Sequence, residues 1–143
     1  MATSNAATNY LERRILHYIF KNNSLSFSSP GDSLYVGLAT AVSAAETGSL
    51  TEANFTNYVR KQVVAANWTT IGADSTDTQT AKNSANVEYP ASGGTNNTIS
   101  HVFVADASTG GNILFVGALD VSKLIADGDI FRINAGNLTI ELK

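Results

Sequence analysis

The spacing of the apolar residues changes once along the chain, and this change limits the folds that the chain can adopt. Between Asn9 and Phe20, apolar side chains recur every three or four residues, as on one side of an α-helix. From Ser33 onward, short apolar runs with strand-like alternation are separated by turn residues, which is typical of β-strands. The sequence therefore predicts a mainly β protein with helix confined to its N-terminal part.

The predicted helix covers about residues 9–21 and is amphipathic. Its apolar stripe consists of Leu11, Ile15, Leu16, Ile19 and Phe20. Asn9 is the expected N-cap, and Glu12 stands three residues later to reach back, as in a capping box. Because a helix of this length is only marginally stable alone, we expect the stripe to anchor it on its own domain or on a neighbouring subunit.

The segments 99–105 and 112–119 are the clearest strand candidates, because they are apolar on both alternations. The connection 106–111 can turn a hairpin, so we expect both strands to lie in the centre of a sheet. Their predicted core residues are Val102, Phe103, Val104, Leu114, Phe115 and Val116.

Six further strands are expected at 33–39, 58–65, 68–71, 85–89, 130–133 and 138–142. The stretch 72–84 has almost no large apolar side chain and is expected to be an exposed loop. About eight short strands with regular turn signals favour an antiparallel β-sandwich of jelly-roll or Greek-key type. We therefore expect an N-terminal arm at 1–31 and a β-sandwich domain at 32–143.

Composition excludes several classes of partner. The 143 residues are 15% charged and carry a net charge of −3, so no excess of Lys or Arg is available to neutralise phosphates, and no nucleic-acid partner is expected. No apolar run approaches the roughly 20 residues needed to cross a bilayer, and the first residues lack the pattern of a secretory signal. With no cysteine, the chain forms neither a disulfide nor a thiolate zinc site.

The sequence carries no arrangement of residues that predicts catalysis, a cofactor or a metal ion. His17 and His101 have no second ligand at metal-binding spacing, and we expect both to be structural or solvated. The acidic clusters at 74–77 and 127–129 offer too few oxygens for Ca²⁺ and are better explained as turns. An enzyme that hydrolyses host polymers is therefore the least supported hypothesis.

Aromatic side chains leave a carbohydrate-binding module open as an alternative. The candidate rings for such a platform are Tyr35, Tyr58, Trp68 and Tyr89. Packing in the core or at an interface is the favoured use of these rings.

The order of the segments is more informative than any one of them. Tyr10-Leu11-Glu12-Arg13-Arg14 opens the helix, and it is followed by the strand-like runs around Tyr35-Val36-Gly37-Leu38, Tyr58-Val59-Arg60-Lys61, Ile99-Ser100-His101-Val102-Phe103 and Gly136-Asn137-Leu138-Thr139. This series resembles small virion structural proteins of tailed bacteriophages, a group of capsid decoration (cement) and tail-fibre-like proteins. The resemblance covers nearly the whole chain, from Tyr10 to Leu142.

The resemblance implies a non-enzymatic structural protein of the virion, assembled in the host cytoplasm. We expect a cement protein that stabilises the head shell by binding the major capsid protein, with a tail, collar or fibre component of the same particle as the alternative. Such proteins act through repeated interfaces, so the implied partners are other virion proteins and further copies of the chain, with a trimer favoured.

Overall fold

The computed structural model describes residues 6–21, 33–69, 71 and 79–142. Within these residues the chain forms one α-helix, α1 (Asn9–Phe20), one short 3₁₀ helix (Ala65–Asn67) and ten strands. The strands are β1 (Ala6–Ala7), β2 (Tyr35–Ala44), β3 (Ser49–Glu52), β4 (Lys61–Gln62), β5 (Gln79–Lys82), β6 (Val87–Glu88), β7 (Asn97–Ala105), β8 (Ile113–Ile125), β9 (Arg132–Ile133) and β10 (Thr139–Leu142).

A curled antiparallel sheet forms the centre of the molecule. Its strands follow the order β1-β8-β7-β2-β3, and β4 also pairs with β2. Two small antiparallel pairs, β10 with β5 and β6 with β9, complete a sandwich-like arrangement. The mainly β fold with one N-terminal helix is thus confirmed, whereas this strand order does not confirm a jelly roll.

The larger of two hydrophobic cores lies on one face of the main sheet. Val36 and Leu38 of β2 and Ile99 of β7 have no exposed surface and pack there with Phe55 and Tyr89. A smaller cluster on the alternate residues contains Ala39, Phe103, Ala105 and Val116. Successive residues of a strand point to opposite faces of the sheet. Since both faces of β2 and β7 are covered by a cluster, these strands carry apolar side chains on both faces.

The hairpin of β7 and β8 confirms most of the sequence prediction. The backbone nitrogen of Asp106 donates to the carbonyl of Asn112 at 3.1 Å, which closes the predicted connection. Five of the six predicted core residues are buried, and the sixth, Phe115, is half-buried. Both strands lie inside the sheet as predicted, although only Val116 and Phe115 of β8 pair with β1 on its outer side.

Several predicted strand boundaries were wrong. The segment 58–65 contains only the two-residue β4, and Trp68 forms a single bridge with Asn83 instead of opening a strand. Part of the predicted loop 72–84 is β5, while residues 72–78 lie outside the described residues. The short strands β1 and β3 were missed, because neither carries an apolar run. The domain boundary expected between residues 31 and 32 lies outside the described residues, within the segment 22–32.

Candidate functional site

The N-terminus of α1 is fixed to the sheet by Thr8. The buried hydroxyl of Thr8 donates to the carbonyl of Ile113 at 2.6 Å and accepts the backbone N–H of Leu11 at 3.4 Å. Thr8 is therefore the N-cap, and the prediction of Asn9 in this role was wrong by one residue. Glu12 consequently stands four residues after the cap, outside capping-box spacing. Asn9 instead donates its backbone N–H to the carbonyl of Glu46 at 2.7 Å.

The five predicted anchor residues of α1 occupy different environments. Leu11 is buried against its own domain, and Ile15 is half-buried. Leu16, Ile19 and Phe20 are 55%, 61% and 73% exposed, and we call these three the helix patch. The helix thus docks within the chain through its first turns, while its C-terminal half presents apolar surface. Whether this surface anchors the protein to a partner stays a prediction.

A second exposed apolar surface was missed in the sequence and lies on β8. Between Ala118 and Lys123, four residues of β8 stand opposite the single residue Ser100 of β7, so the strand bulges. Beside this bulge is an open cleft of about 570 Å³, which we call the β8 cleft. Its exposed apolar side chains are Val121, Leu124 and Ile130, at 67%, 61% and 52% exposure. The alternation of Val121 and Leu124 with polar residues hid this surface in the sequence.

A further cleft of about 580 Å³ lies between β8 and the chain segment that carries β10. Aliphatic side chains such as Leu119, Leu138 and Ile140 line it together with backbone. The described residues contain no group of three or more His, Asp or Glu side chains that could hold a metal ion. Of the acidic turns considered in the sequence, Asp74 and Asp77 lie outside the described residues.

A partly enclosed polar cluster joins Glu52, Tyr58 and Arg60. The guanidinium of Arg60 contacts the carboxylate of Glu52 through two bonds, Nε to Oε1 at 2.8 Å and Nη2 to Oε2 at 2.9 Å. Nη1 of Arg60 also donates to the carbonyls of Ala107 and Gly110, each at 2.8 Å. Arg60 therefore ties β3 to the turn between β7 and β8, which is a structural use of its charge.

Tyr58 completes this cluster from the side of the larger core. Its hydroxyl donates to Oε1 of Glu52 at 2.8 Å and accepts the backbone N–H of Leu38 at 3.0 Å. Burial raises the pKa of Tyr58 well above its usual value, and the hydrogen bond to Glu52 raises it further. The pKa of Arg60 is raised chiefly by the hydrogen bond to Glu52. These shifts keep the phenol neutral and the guanidinium charged, so neither group is prepared for proton transfer near neutral pH.

The histidines give no sign of a reactive pair. Nδ1 of His101 lies 2.7 Å from the hydroxyl of Ser100, and burial lowers the pKa of His101. Nδ1 of His17 is buried and has no hydrogen-bond partner among the described residues. The two residues sit on separate elements, α1 and β7, as the sequence predicts.

The candidate sugar-binding rings are largely used inside the protein. Tyr89 is 1% exposed, stacks on Tyr58 at 6.1 Å between ring centroids and donates its hydroxyl to the carbonyl of Val36 at 2.8 Å. Trp68 packs against the larger core and donates Nε1–H to the carbonyl of Val63 at 3.3 Å. With Tyr35 half-buried in β2, these four rings do not form a solvent-facing platform.

The described geometry thus offers exposed apolar surfaces, the helix patch and the β8 cleft. The family described as podophage GP4 fiber I protein gp80 matches residues 6–141. The chain belongs to this family. No curated protein matches the chain.

Membership of the fibre family makes the chain a phage structural protein and a part of the virion. This supports the predicted non-enzymatic virion protein, and it fits the tail or fibre alternative better than the capsid decoration that we expected first. Fibre proteins of this kind are generally structural, in keeping with the prediction that the chain is not an enzyme. No helix within the described ranges has the length and apolar character to span a membrane.

Proposed function

We propose that this protein is a structural subunit of a podophage tail fibre and that it acts by binding other virion proteins. The observation that carries the proposal is the family match, which extends over residues 6–141 and so includes α1 and every strand up to β10. A structural subunit needs a rigid body and accessible contact surfaces.

The rigid body is supplied by the hairpin of β7 and β8 and by the cluster around Arg60. Arg60 connects residues far apart in sequence, because its side chain spans from Glu52 to the carbonyl of Gly110. The accessible contacts are the helix patch and the β8 cleft. Apolar groups of this size cost free energy in water, and their burial against a partner stabilises an assembly.

In this proposal α1 is the attachment element, the other partners are proteins of the same particle, and assembly takes place in the host cytoplasm. The chain is expected to work as a homo-oligomer, with a trimer as the favoured state. Nucleic acid is not an expected partner, since the net charge is −3.

Localisation on the intact particle tests the proposal. Gold-labelled antibodies against the chain should decorate the tail, and quantitative mass spectrometry should give few copies relative to the major capsid protein. Labelling spread over the head, with copies comparable in number to the shell subunits, would instead establish a capsid decoration protein.

A further inference from the structure

The helix patch and the β8 cleft remain uncovered in a single chain. The exposures of Ile19 and Phe20 show that α1 does not place them in the cleft of its own molecule, and Val121 and Leu124 are equally open. The start of α1 is fixed at the opposite end of β8, where Thr8 bonds to Ile113 and Leu114. Each surface therefore has apolar area that only another molecule or a further segment of chain can bury.

The charges around the two surfaces have opposite signs. Arg13 is exposed on α1, and Lys21 is exposed at the C-terminal end of this helix. Glu12, in the first turn, is the only acidic residue of α1. Unlike charges across an interface favour docking and fix its orientation.

Carboxylates dominate the side of the β8 cleft. Asp120 and Asp129 line it, and Asp127 is exposed in the adjoining turn. Lys123 adds one positive charge to the lining. The charge of Arg132 is neutralised by its ion pair with Glu88. The net charge near the cleft is therefore negative, whereas the net charge of the helix is positive.

We propose that the helix patch of one copy docks into the β8 cleft of a second copy of this chain. The inference rests on the proposed structural role, in which copies of the chain meet in one particle. A cleft of about 570 Å³ is within the range of roughly 300–1,000 Å³ that encloses a drug-sized group, so it accepts two or three apolar side chains. Arg13 then approaches the carboxylates beside the cleft, and Leu16, Ile19 and Phe20 enter it.

This contact joins two different surfaces, so it is heterologous. A bound pair still offers one free helix patch, on one copy, and one free cleft, on the other, and successive contacts close into a ring when the rotation between copies permits. A helix that pairs with the same helix of a second copy would behave differently, because it would stop at a dimer.

Mixing two variants of the full chain tests the proposal. Ile19→Asp disables the helix patch but keeps the cleft, and Val121→Asp disables the cleft but keeps the helix patch. Each alone should dissociate to monomer in size-exclusion chromatography with light scattering, with affinity weakened about tenfold or more. An equal mixture should form a one-to-one heterodimer, because one intact helix patch meets one intact cleft.

Val59→Asp is the matched control, since Val59 is 53% exposed and lies in neither surface. It should keep the parent's oligomeric state, and thermal unfolding should show that all three variants are folded. A charge exchange gives a second test: Arg13→Glu and Asp120→Arg should each weaken association, and mixing them should restore part of it.

Three results would overturn the proposal. The first is a parent chain that stays monomeric at high concentration, the second is a Val121→Asp variant that associates as the parent does, and the third is an equal mixture that remains monomeric. A monomeric parent would point to the undescribed segment 22–32 or to a different virion protein as the occupant. Because gold labelling of the tail does not depend on self-association, such a result would leave the fibre role standing.

Discussion

Gly37 and Phe103 face each other in adjacent strands, and the ring of Phe103 occupies the space where a Cβ atom of residue 37 would lie. The guanidinium of Arg60 lies against the same ring, 5.0 Å from its centroid. Glycine at position 37 therefore lets the ring lie flat on β2 beneath the arginine.

The first prediction is that Gly37→Ala destabilises the protein. The added methyl group forces the ring of Phe103 or the backbone of β2 to move, which typically costs about 1 to 3 kcal/mol. Denaturant unfolding measures this cost. The double variant Gly37→Ala with Phe103→Leu should lose less stability than the sum of the two single variants, since the smaller side chain leaves room. Additive losses would show that the ring is not the obstacle.

The second prediction is that Arg60→Lys lowers the free energy of unfolding by about 1.5 to 3 kcal/mol. Lysine keeps the charge but loses the planar fork that bonds Glu52 twice and reaches two carbonyls. The exposed pair of Arg132 with Glu88 supplies the control, and Arg132→Lys should cost less than about 1 kcal/mol. Equal losses at the two sites would argue that enclosure of Arg60 contributes nothing.

The third prediction concerns alkaline solution. Burial raises the pKa of both Tyr58 and Tyr89 above the ordinary value of 10.0. The unfolded chain therefore loses these protons near pH 10 while the folded chain keeps them, so their stabilisation is fully present below pH 10 and decreases as the pH rises above it. The expected slope is up to about 1.4 kcal/mol per pH unit for each phenol.

Unfolding titrations between about pH 8 and pH 11 measure that slope. Tyr58→Phe should reduce it, because one of the two phenols is absent, although the variant also loses stability at neutral pH through its missing hydrogen bonds. A variant with the slope of the parent would assign the alkaline loss to other groups.

Local pattern was sufficient for α1 and for the hairpin of β7 and β8, because each carries its own periodicity and its own turn or cap signal. The local sequence pattern failed for strands that form only because they pair with a neighbouring strand. β3 is held by β2 although its sequence is polar, and β8 continues to Ile125 through a bulge that interrupts the alternation. Strand ends of this kind depend on pairing with residues that are distant in the sequence, and the local sequence pattern carries no information about those residues.

The surfaces for binding were only half accessible to sequence reasoning. The apolar stripe of α1 is visible because Leu11, Ile15 and Ile19 recur at helical spacing, but which of them the domain covers depends on how Thr8 is fixed to β8. One feature of the sequence could have indicated the pair of Glu52 and Arg60. Only 15% of the residues are charged, so a charged residue that directly follows the apolar Tyr58-Val59 is a candidate for a buried ion pair.

The fourth prediction separates the two roles within α1. Leu11→Ala should cost about 2 to 5 kcal/mol, because Leu11 is 5% exposed. Ile19→Ala, at an exposed site of the same helix, should change the free energy of unfolding by no more than about 0.5 kcal/mol. Thermal unfolding of both variants, at a concentration low enough for each to be monomeric, checks this, and a similar loss from Ile19→Ala would mean that the helix patch packs within the chain.

The fifth prediction concerns Asn83, a fully buried amide that joins β5 to the segment before β10. Its Nδ2 donates to the carbonyls of Ala85 and Asn134 at 2.8 Å and 3.0 Å, and its Oδ1 accepts the backbone N–H of Leu138 at 2.9 Å. Asn83→Ala leaves these three backbone groups without their partner, and each buried unsatisfied group costs about 1 to 3 kcal/mol.

We therefore expect Asn83→Ala to lower the free energy of unfolding by about 3 kcal/mol or more and to open the pairing of β5 with β10 before the main sheet. Hydrogen exchange resolves the two effects, since amides of Thr80 and Ile140 should lose protection while those of Val102 and Val104 keep it. The conservative change Asn86→Ala, which removes a single bond to the backbone N–H of Ala135 at an exposed site, is the control and should cost about 1 kcal/mol. If exchange instead rises uniformly over both sheets, β5 and β10 unfold together with the main sheet as one cooperative unit, and Asn83 stabilises the whole domain rather than one edge of it.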